Sequence, residues 1–298
     1  MKFAKGMKEA MSVSQDFADD AEAAEFWKVG AADVPSRDLH YPGAGGQSQA
    51  ARLYIGKEQG IAPVLLYIHG GGWTGGSIDL NDRAARNIAK DSGWNVLSIS
   101  YRLAPEHPYP AGLNDCRAAL QWLSQNYGDL DVDPSKIVIG GTSAGANLAI
   151  TTALSEEASN LFGLLLFYGV FGCNFGTESY RAFADGPGLT RARMQDLFDM
   201  YDGDAQRTVD PFISPILSDD LAGLPPTYVM AAEHDVLLDD SRAMAGALEA
   251  AEVPVQFHIE LGVTHGFVNR GRLVPAGDAA LRRAAAFLKD LEDQKVTL

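Results

Sequence analysis

Cysteine, histidine and basic charge are all scarce in this chain of 298 residues, and each shortage removes a class of function. The two cysteines, Cys116 and Cys173, show neither a CxxC pair nor a metal-ligand spacing, so neither a disulfide scaffold nor a zinc site is supported. Both are expected to be reduced and partly buried. The 24 Lys and Arg residues face 39 Asp and Glu, a formal charge of −15, which disfavours nucleic acid and anionic membrane as partners. No apolar run approaches the roughly 20 residues of a spanning helix; the longest, Leu161 to Phe171, reads as a central strand. Lys2, Lys5 and Lys8 are followed by Glu9, Asp16, Asp19 and Asp20 and not by a signal-type apolar core, so a cytoplasmic location is expected. Internal repeats and low-complexity linkers are lacking as well. An apolar fraction of 46% suits a soluble globular protein, and the length suits one α/β domain with a cap.

Taken in order, Phe3, Met7, Met11, Phe17, Phe26 and Trp27 recur at loosely helical spacing before Pro35, which predicts one or two amphipathic helices. Ala50 to Ile55 and Pro63 to His69 read as the first strands, Asn81 to Ser92 as a helix and Asn95 to Ser100 as a strand. Leu113, Cys116, Leu120, Leu123 and Tyr127 mark the next helix, and Ile137 to Gly140 a short buried strand. Strands and helices thus alternate, which predicts a parallel sheet with helices on both faces. Arg102, Glu106 and Asp115 are candidates for an ionic network that holds the proline-rich loop between Tyr101 and Ala111.

Three stretches carry chemistry. Gly141-Thr142-Ser143-Ala144-Gly145 lies between a buried strand and an Ala- and Leu-rich helix, which is the context of a nucleophile elbow, and Ser143 is the candidate nucleophile. His69-Gly70-Gly71-Gly72-Trp73 ends a buried strand; main chain free of side chains can turn its N–H groups toward a substrate oxygen. The oxyanion hole is therefore assigned to the N–H groups of Gly71, Gly72 and Ala144, with His69 orienting the loop. A serine needs a base, and that base needs an orienting carboxylate. Of the histidines after Ser143, His258 falls inside a strand whose buried face reads Val255, Phe257, Ile259 and Leu261, whereas His265 lies beyond it between glycines and is preferred. Asp235 is the preferred acid, Glu233 its nearest competitor, and Asp239 and Asp240 are expected to cap the helix that follows.

Together with the YRLAPE loop from Tyr101 to Glu106, the Asp235-Val-Leu-Leu-Asp239 loop and His265-Gly266-Phe267, these motifs resemble the hormone-sensitive-lipase-like family of bacterial α/β-hydrolases, in its GTSAG form. The resemblance spans most of the chain from about Ala50. It implies an eight-stranded, mostly parallel sheet with a helical cap drawn from residues 1–48 and from an insertion at about 171–211, on a catalytic domain of residues 49–298. It also implies a serine carboxylesterase acting on small-molecule esters of short to medium acyl chains, without a cofactor and often as a homodimer. An amidase or arylformamidase with the same residues is the alternative, and a ligand-binding protein on a hydrolase scaffold a more distant one. Trp73, Phe171 and Phe212 are candidates for the pocket wall. Two positions depart from the commonest pattern: Ala146 replaces a frequent Gly, and Asp239-Asp240-Ser241 stands where Asp-Glu-Gly is usual.

Overall fold

The computed structural model describes residues 1–293 apart from 58, 59, 159 and 203–205. Its centre is one sheet of eight strands: β1 (Ser36–Pro42), β2 (Ser48–Tyr54), β3 (Ala62–Ile68), β4 (Asn95–Ile99), β5 (Val132–Thr142), β6 (Gly163–Phe167), β7 (Thr227–His234) and β8 (Val255–Thr264). The spatial order is β1-β2-β4-β3-β5-β6-β7-β8. Only β2 runs antiparallel to its neighbours; every pair from β4 through β8 is parallel.

A strand's side chains alternate between faces, and central parallel strands are covered on both. Val64, Leu66, Ile137, Ile139, Leu164 and Leu166 accordingly join one core with α4 (Ala111–Gln125), α5 (Ala144–Ala153) and α8 (Leu238–Ala250). Leu65, Tyr67, Val138, Leu165 and Phe167 join the other with α3 (Asp82–Ser92) and α9 (Pro275–Glu292). Over the sheet's C-terminal edge lie α2 (Asp20–Lys28) and α7 (Arg191–Asp202), while α1 (Met7–Val13) packs on β8 and α6 (Glu178–Ala182) on α8. No helix among the described residues is long and apolar enough to cross a membrane.

Four expectations change. The sheet begins at Ser36, so a cap boundary at residue 48 includes an edge strand; short polar β1, with one buried residue, has no apolar alternation to reveal it. The run Leu161 to Phe171 is strand only over Gly163–Phe167, because Tyr168 turns away at φ 37°. Leu261 is 68% exposed and the rest of the Val255 to Leu261 face only half-buried, as befits an edge strand with one neighbour. Arg102 does pair with fully buried Asp115 at 2.8 Å, but Glu106 stays exposed outside that pair. Cys116 is buried and Cys173 half-buried, both free thiols. Residues 203–205 of the expected cap insertion fall outside the described residues.

Candidate active site

β5 ends at Thr142 and α5 begins at Ala144, leaving Ser143 alone in the turn at φ 54° and ψ −121°. A side chain at positive φ is strained, so the neighbours must permit the turn. A Cβ on Gly141 would strike the Ile68 carbonyl and Gly145, and one on Gly145 would strike the main chain of Ile68 and His69. The elbow passes that close to β3, which is why both glycines are needed. The Ser143 N–H donates to the Phe167 carbonyl at 2.9 Å and ties the turn to β6.

Parallel strands bring their C-terminal ends to one edge. Asp235 follows β7 directly and His265 follows β8 directly, so both reach the elbow from neighbouring strands. His265 Nδ1 lies 2.7 Å from Asp235 Oδ2, and its Nε2 lies 2.9 Å from Ser143 Oγ. The other Asp235 oxygen accepts the Leu237 N–H at 3.1 Å, and the carboxylate is fully buried. A carboxylate only accepts, so it selects the tautomer with the proton on Nδ1 and leaves Nε2 as an acceptor for the serine hydroxyl. The ring of Tyr168 meets His265 edge-on, with centroids 4.9 Å apart.

The competitors go elsewhere. Glu233 accepts the Gly262 N–H at 2.6 Å, and His234 Nε2 lies 3.0 Å from the Lys2 carbonyl oxygen. His258 stays on β8 with a 43% exposed side chain. Asp239 and Asp240 do not cap α8 as expected, because both carboxylates reach back to the cap insertion. Asp239 accepts the Ser179 N–H at 2.8 Å, and Asp240 accepts the N–H groups of Phe171 and Gly172 at 3.1 and 3.0 Å. Burial, the largest influence, pushes the Asp240 carboxyl up to about 7.

The loop after β3 is fixed at its start and open at its tip. The Gly70 N–H donates to Thr142 Oγ1 at 3.0 Å, and Tyr101 Oη donates to the His69 carbonyl at 3.0 Å. The His69 ring stacks on Tyr101, its Nδ1 is 2.8 Å from the Gly70 carbonyl oxygen, and burial lowers it to about 4, so it is neutral at neutral pH. Among the described residues, no protein acceptor takes the N–H of Gly71 or Gly72. The Ala144 N–H opens α5 and has no carbonyl of that helix to bond. Gly71, Gly72, Ser143 and His265 line one cavity of about 500 Å³, roofed by Leu189, Met194 and Leu197 from the cap and Trp27 from α2.

Comparison with known proteins identifies the family. The family model described as the alpha/beta hydrolase fold matches residues 65–269. Carboxylesterase NlhH of Mycobacterium tuberculosis is 39% identical over 233 residues, covering 76% of this chain and 73% of that protein. The chain belongs to the hormone-sensitive-lipase-like α/β-hydrolases. Carboxylic ester hydrolase LipN of the same organism is 36% identical over 79% of this chain and 65% of its own. Among solved structures, the hyperthermophilic esterase from Pyrobaculum calidifontis superposes with a TM-score of 0.87 at 30% identity, covering 98% of this chain and 99% of that one. The thermostable carboxylesterase EstE1, cloned from a metagenomic library, gives 0.85 at 33% identity, with 91% and 95% covered.

Within this α/β-hydrolase, three aromatic wall candidates lie away from the Ser143 cavity. Trp73 is 1% exposed, stacked on Tyr201 of α7 with centroids 4.4 Å apart, and serves the core. Phe171 lines a separate cavity of about 470 Å³, and Phe212 lies under the Arg117 guanidinium. An aromatic beside a motif reads the same whether it packs or binds. Two residues outside the sequence candidates support the site: Thr142, which anchors the glycine loop, and Asn81, whose Oδ1 accepts from Asn269 at 2.9 Å and lies 3.3 Å from Thr142 Oγ1. Their signal was available only for Thr142, as the variable position inside the elbow. Among the described residues no group of three or more His, Cys, Asp or Glu is arranged to hold a metal ion.

Proposed function

We propose that this carboxylic ester hydrolase works as a serine enzyme, with Ser143, His265 and Asp235 as its triad, on esters of short to medium acyl chains. One observation carries the reading: the hydrogen-bonded chain from Asp235 through His265 to Ser143 opens into a cavity edged by main-chain N–H groups that have no partner among the described residues. Ser143 Oγ attacks the ester carbonyl while His265 Nε2 takes its proton, and Asp235 stabilises the imidazolium. Negative charge on the carbonyl oxygen is met by the N–H groups of Gly71, Gly72 and Ala144, the last at a helix N-terminus. His265 then gives its proton to the departing alcohol, leaving an acyl-enzyme. Water attacks that ester by the same route, supplying OH to the acid and H to the base, and Ser143 is regenerated.

The supporting features of the acyl preference are the cavity of about 500 Å³ and its roof of Leu189, Met194 and Leu197. The test is hydrolysis of p-nitrophenyl esters of increasing acyl length, with Ser143→Ala as control. Turnover that peaks at short to medium chains and vanishes in the variant is expected. Serine-independent turnover refutes the reading, and turnover of formanilides in preference to matched esters moves it to the amidase alternative.

A further inference from the structure

Most guanidinium groups that this fold covers are matched to acids, an exception outside the Ser143 cavity being Arg117, which lies over the Phe212 ring. Arg52, Arg83, Arg86, Arg102 and Arg207 each lie 2.6 to 2.8 Å from a carboxylate. That is the expected arrangement, since a charge withdrawn from water without a partner is destabilising.

Arg270 breaks the pattern. It closes the helical turn Phe267–Arg270 that follows His265, is half-buried, and lines the Ser143 cavity. Its Nη2 lies 3.9 Å from the place a Cβ on Gly266 would take, so the guanidinium runs beside the main chain next to His265. Among the described residues it has no hydrogen bond and no ion pair. Burial lowers its affinity for a proton, yet an arginine remains charged at any physiological pH. Tyr168 lines the same cavity. A second arginine, Arg193 in the first turn of α7, stands exposed at the cavity wall and among the described residues forms no ion pair. Among the described lining residues the one carboxylate is Asp20, exposed at the start of α2 and in no ion pair with either arginine. A chain with a formal charge of −15 therefore places two unmatched cations in its catalytic cavity.

We propose that Arg270, with Arg193 at the mouth, forms an anion subsite, and that the preferred esters carry a carboxylate, as monoesters of short dicarboxylic acids do. This rests on the reading of Ser143 as the nucleophile. A planar guanidinium meets a carboxylate with two parallel hydrogen bonds, which suits one arginine and one small anion in a cavity of about 500 Å³. An anion also supplies what the fold omits, since its arrival matches a charge that is otherwise half-buried with no carboxylate beside it among the described residues. Hydrolysis breaks the acyl C–O bond, with water supplying the OH of the new acid and the H of the alcohol. The product of such a substrate is a dicarboxylate.

The experiment measures kcat/KM for matched charged and neutral esters: ethyl hydrogen glutarate against ethyl pentanoate for a charge on the acyl side, and acetoxyacetate against propyl acetate for a charge on the alcohol side. In the wild type at least one charged member is expected to exceed its neutral partner, and the pair that does so identifies the side. Arg270→Gln is expected to lower that charged-to-neutral ratio about 10- to 100-fold, the span of a lost charge-assisted hydrogen bond, whereas Arg270→Lys, which keeps the charge but not the bidentate fork, retains an intermediate ratio. A general loss of packing would lower both members together and leave the ratio alone, and that result overturns the proposal. Should Arg270→Gln not fold, glutarate and 1,5-pentanediol are compared as inhibitors of p-nitrophenyl acetate hydrolysis by the wild type. Competitive inhibition by glutarate alone supports the subsite, and equal or absent inhibition overturns it. Serine-dependent turnover of neutral esters without a charge preference sinks this inference alone; absence of serine-dependent turnover sinks the triad reading first.

Discussion

The floor and the roof of the Ser143 cavity are built by different means. The floor consists of residues at the ends of parallel strands: Ser143 after β5, Asp235 after β7, His265 after β8 and the glycine loop after β3. Each strand is held by two neighbours or by a core helix, and the polar atoms of the floor are fixed by bonds such as Gly70 N–H to Thr142 and Leu237 N–H to Asp235. The roof consists of Leu189 and side chains from α2 and α7, all outside the sheet, kept in place by ties such as the Trp73–Tyr201 stack, the Arg207–Asp202 pair at 2.6 Å and the reach of Asp239 and Asp240 to the insertion. Positions set by strand register hold reacting atoms to fractions of an ångström, which chemistry requires. Positions set by a cap can vary with the ligand, which selectivity requires. The two regions should therefore fail differently when they are mutated.

The largest effect belongs to the floor. Ser143→Ala is expected to lower kcat by about 10⁴- to 10⁶-fold while leaving the melting temperature within a few degrees of wild type, since the residue donates to His265 but supports no core packing. Parallel turnover and thermal-melt measurements on one preparation check it, and retained turnover removes Ser143 from the mechanism.

Two acids five positions apart sharpen the contrast. Asp235→Asn replaces the carboxylate that selects the His265 tautomer and is expected to cost about 10⁴-fold in kcat. Asp240→Asn touches only the base of the cap, so its effect should appear in stability. The Asp240 carboxyl is pushed up to about 7 in the folded chain, above its ordinary value, so the folded state keeps a proton that the unfolded chain releases. That contribution is fully present below the ordinary carboxylate range and is lost as the pH rises through about 7. Wild type should accordingly be favoured over Asp240→Asn more at pH 5 than at pH 8. Melts of both proteins at the two pH values decide it, and a pH-independent difference would show that Asp240 does not titrate between them.

The same division governs what the sequence could reveal. Gly141 and Gly145, the glycine run after His69, and His265 beyond its strand are local signals, because each states a backbone need within a few residues. Edge strand β1 was illegible since its one buried side chain leaves no period of two, and Leu261 was misread because alternation looks the same on an edge and in the centre. The roles of Asp239 and Asp240 were misread for a related reason. An acid at a helix start looks like a cap, and only the folded chain shows the insertion's N–H groups within its reach. The roof was the least legible part, as Met194 and Leu197 are apolar helix positions like any others until the fold sets α7 over the glycine loop.

Thr142 sits at the seam between the regions and should give a middle-sized effect. Thr142→Val keeps the shape but removes the acceptor for the Gly70 N–H and the contact with Asn81. The glycine loop then loses one anchor, and kcat for p-nitrophenyl acetate is expected to fall about 10-fold, in line with one buried hydrogen bond, with KM changed less. A selective rise in KM would place Thr142 in substrate binding instead of in support of the oxyanion donors.

The smallest effect belongs to the roof. Leu197 is 5% exposed, lines the cavity, and lies so near the glycine loop that a Cβ on Gly72 would come within 2.6 Å of it. Leu197→Ala removes apolar volume from the roof without touching a hydrogen bond of the floor. Each methylene that can newly be buried is worth up to about 0.8 kcal/mol, so the profile of kcat/KM against acyl length should shift toward longer chains, with changes of about fourfold per carbon at the new optimum. The acetate rate should move far less, because a two-carbon acyl group does not reach the added space. If the acetate rate instead fell as far as in Thr142→Val while the length profile stayed put, Leu197 would belong with the floor, as a brace for Gly72, and the boundary between the two regions would have to be drawn through α7.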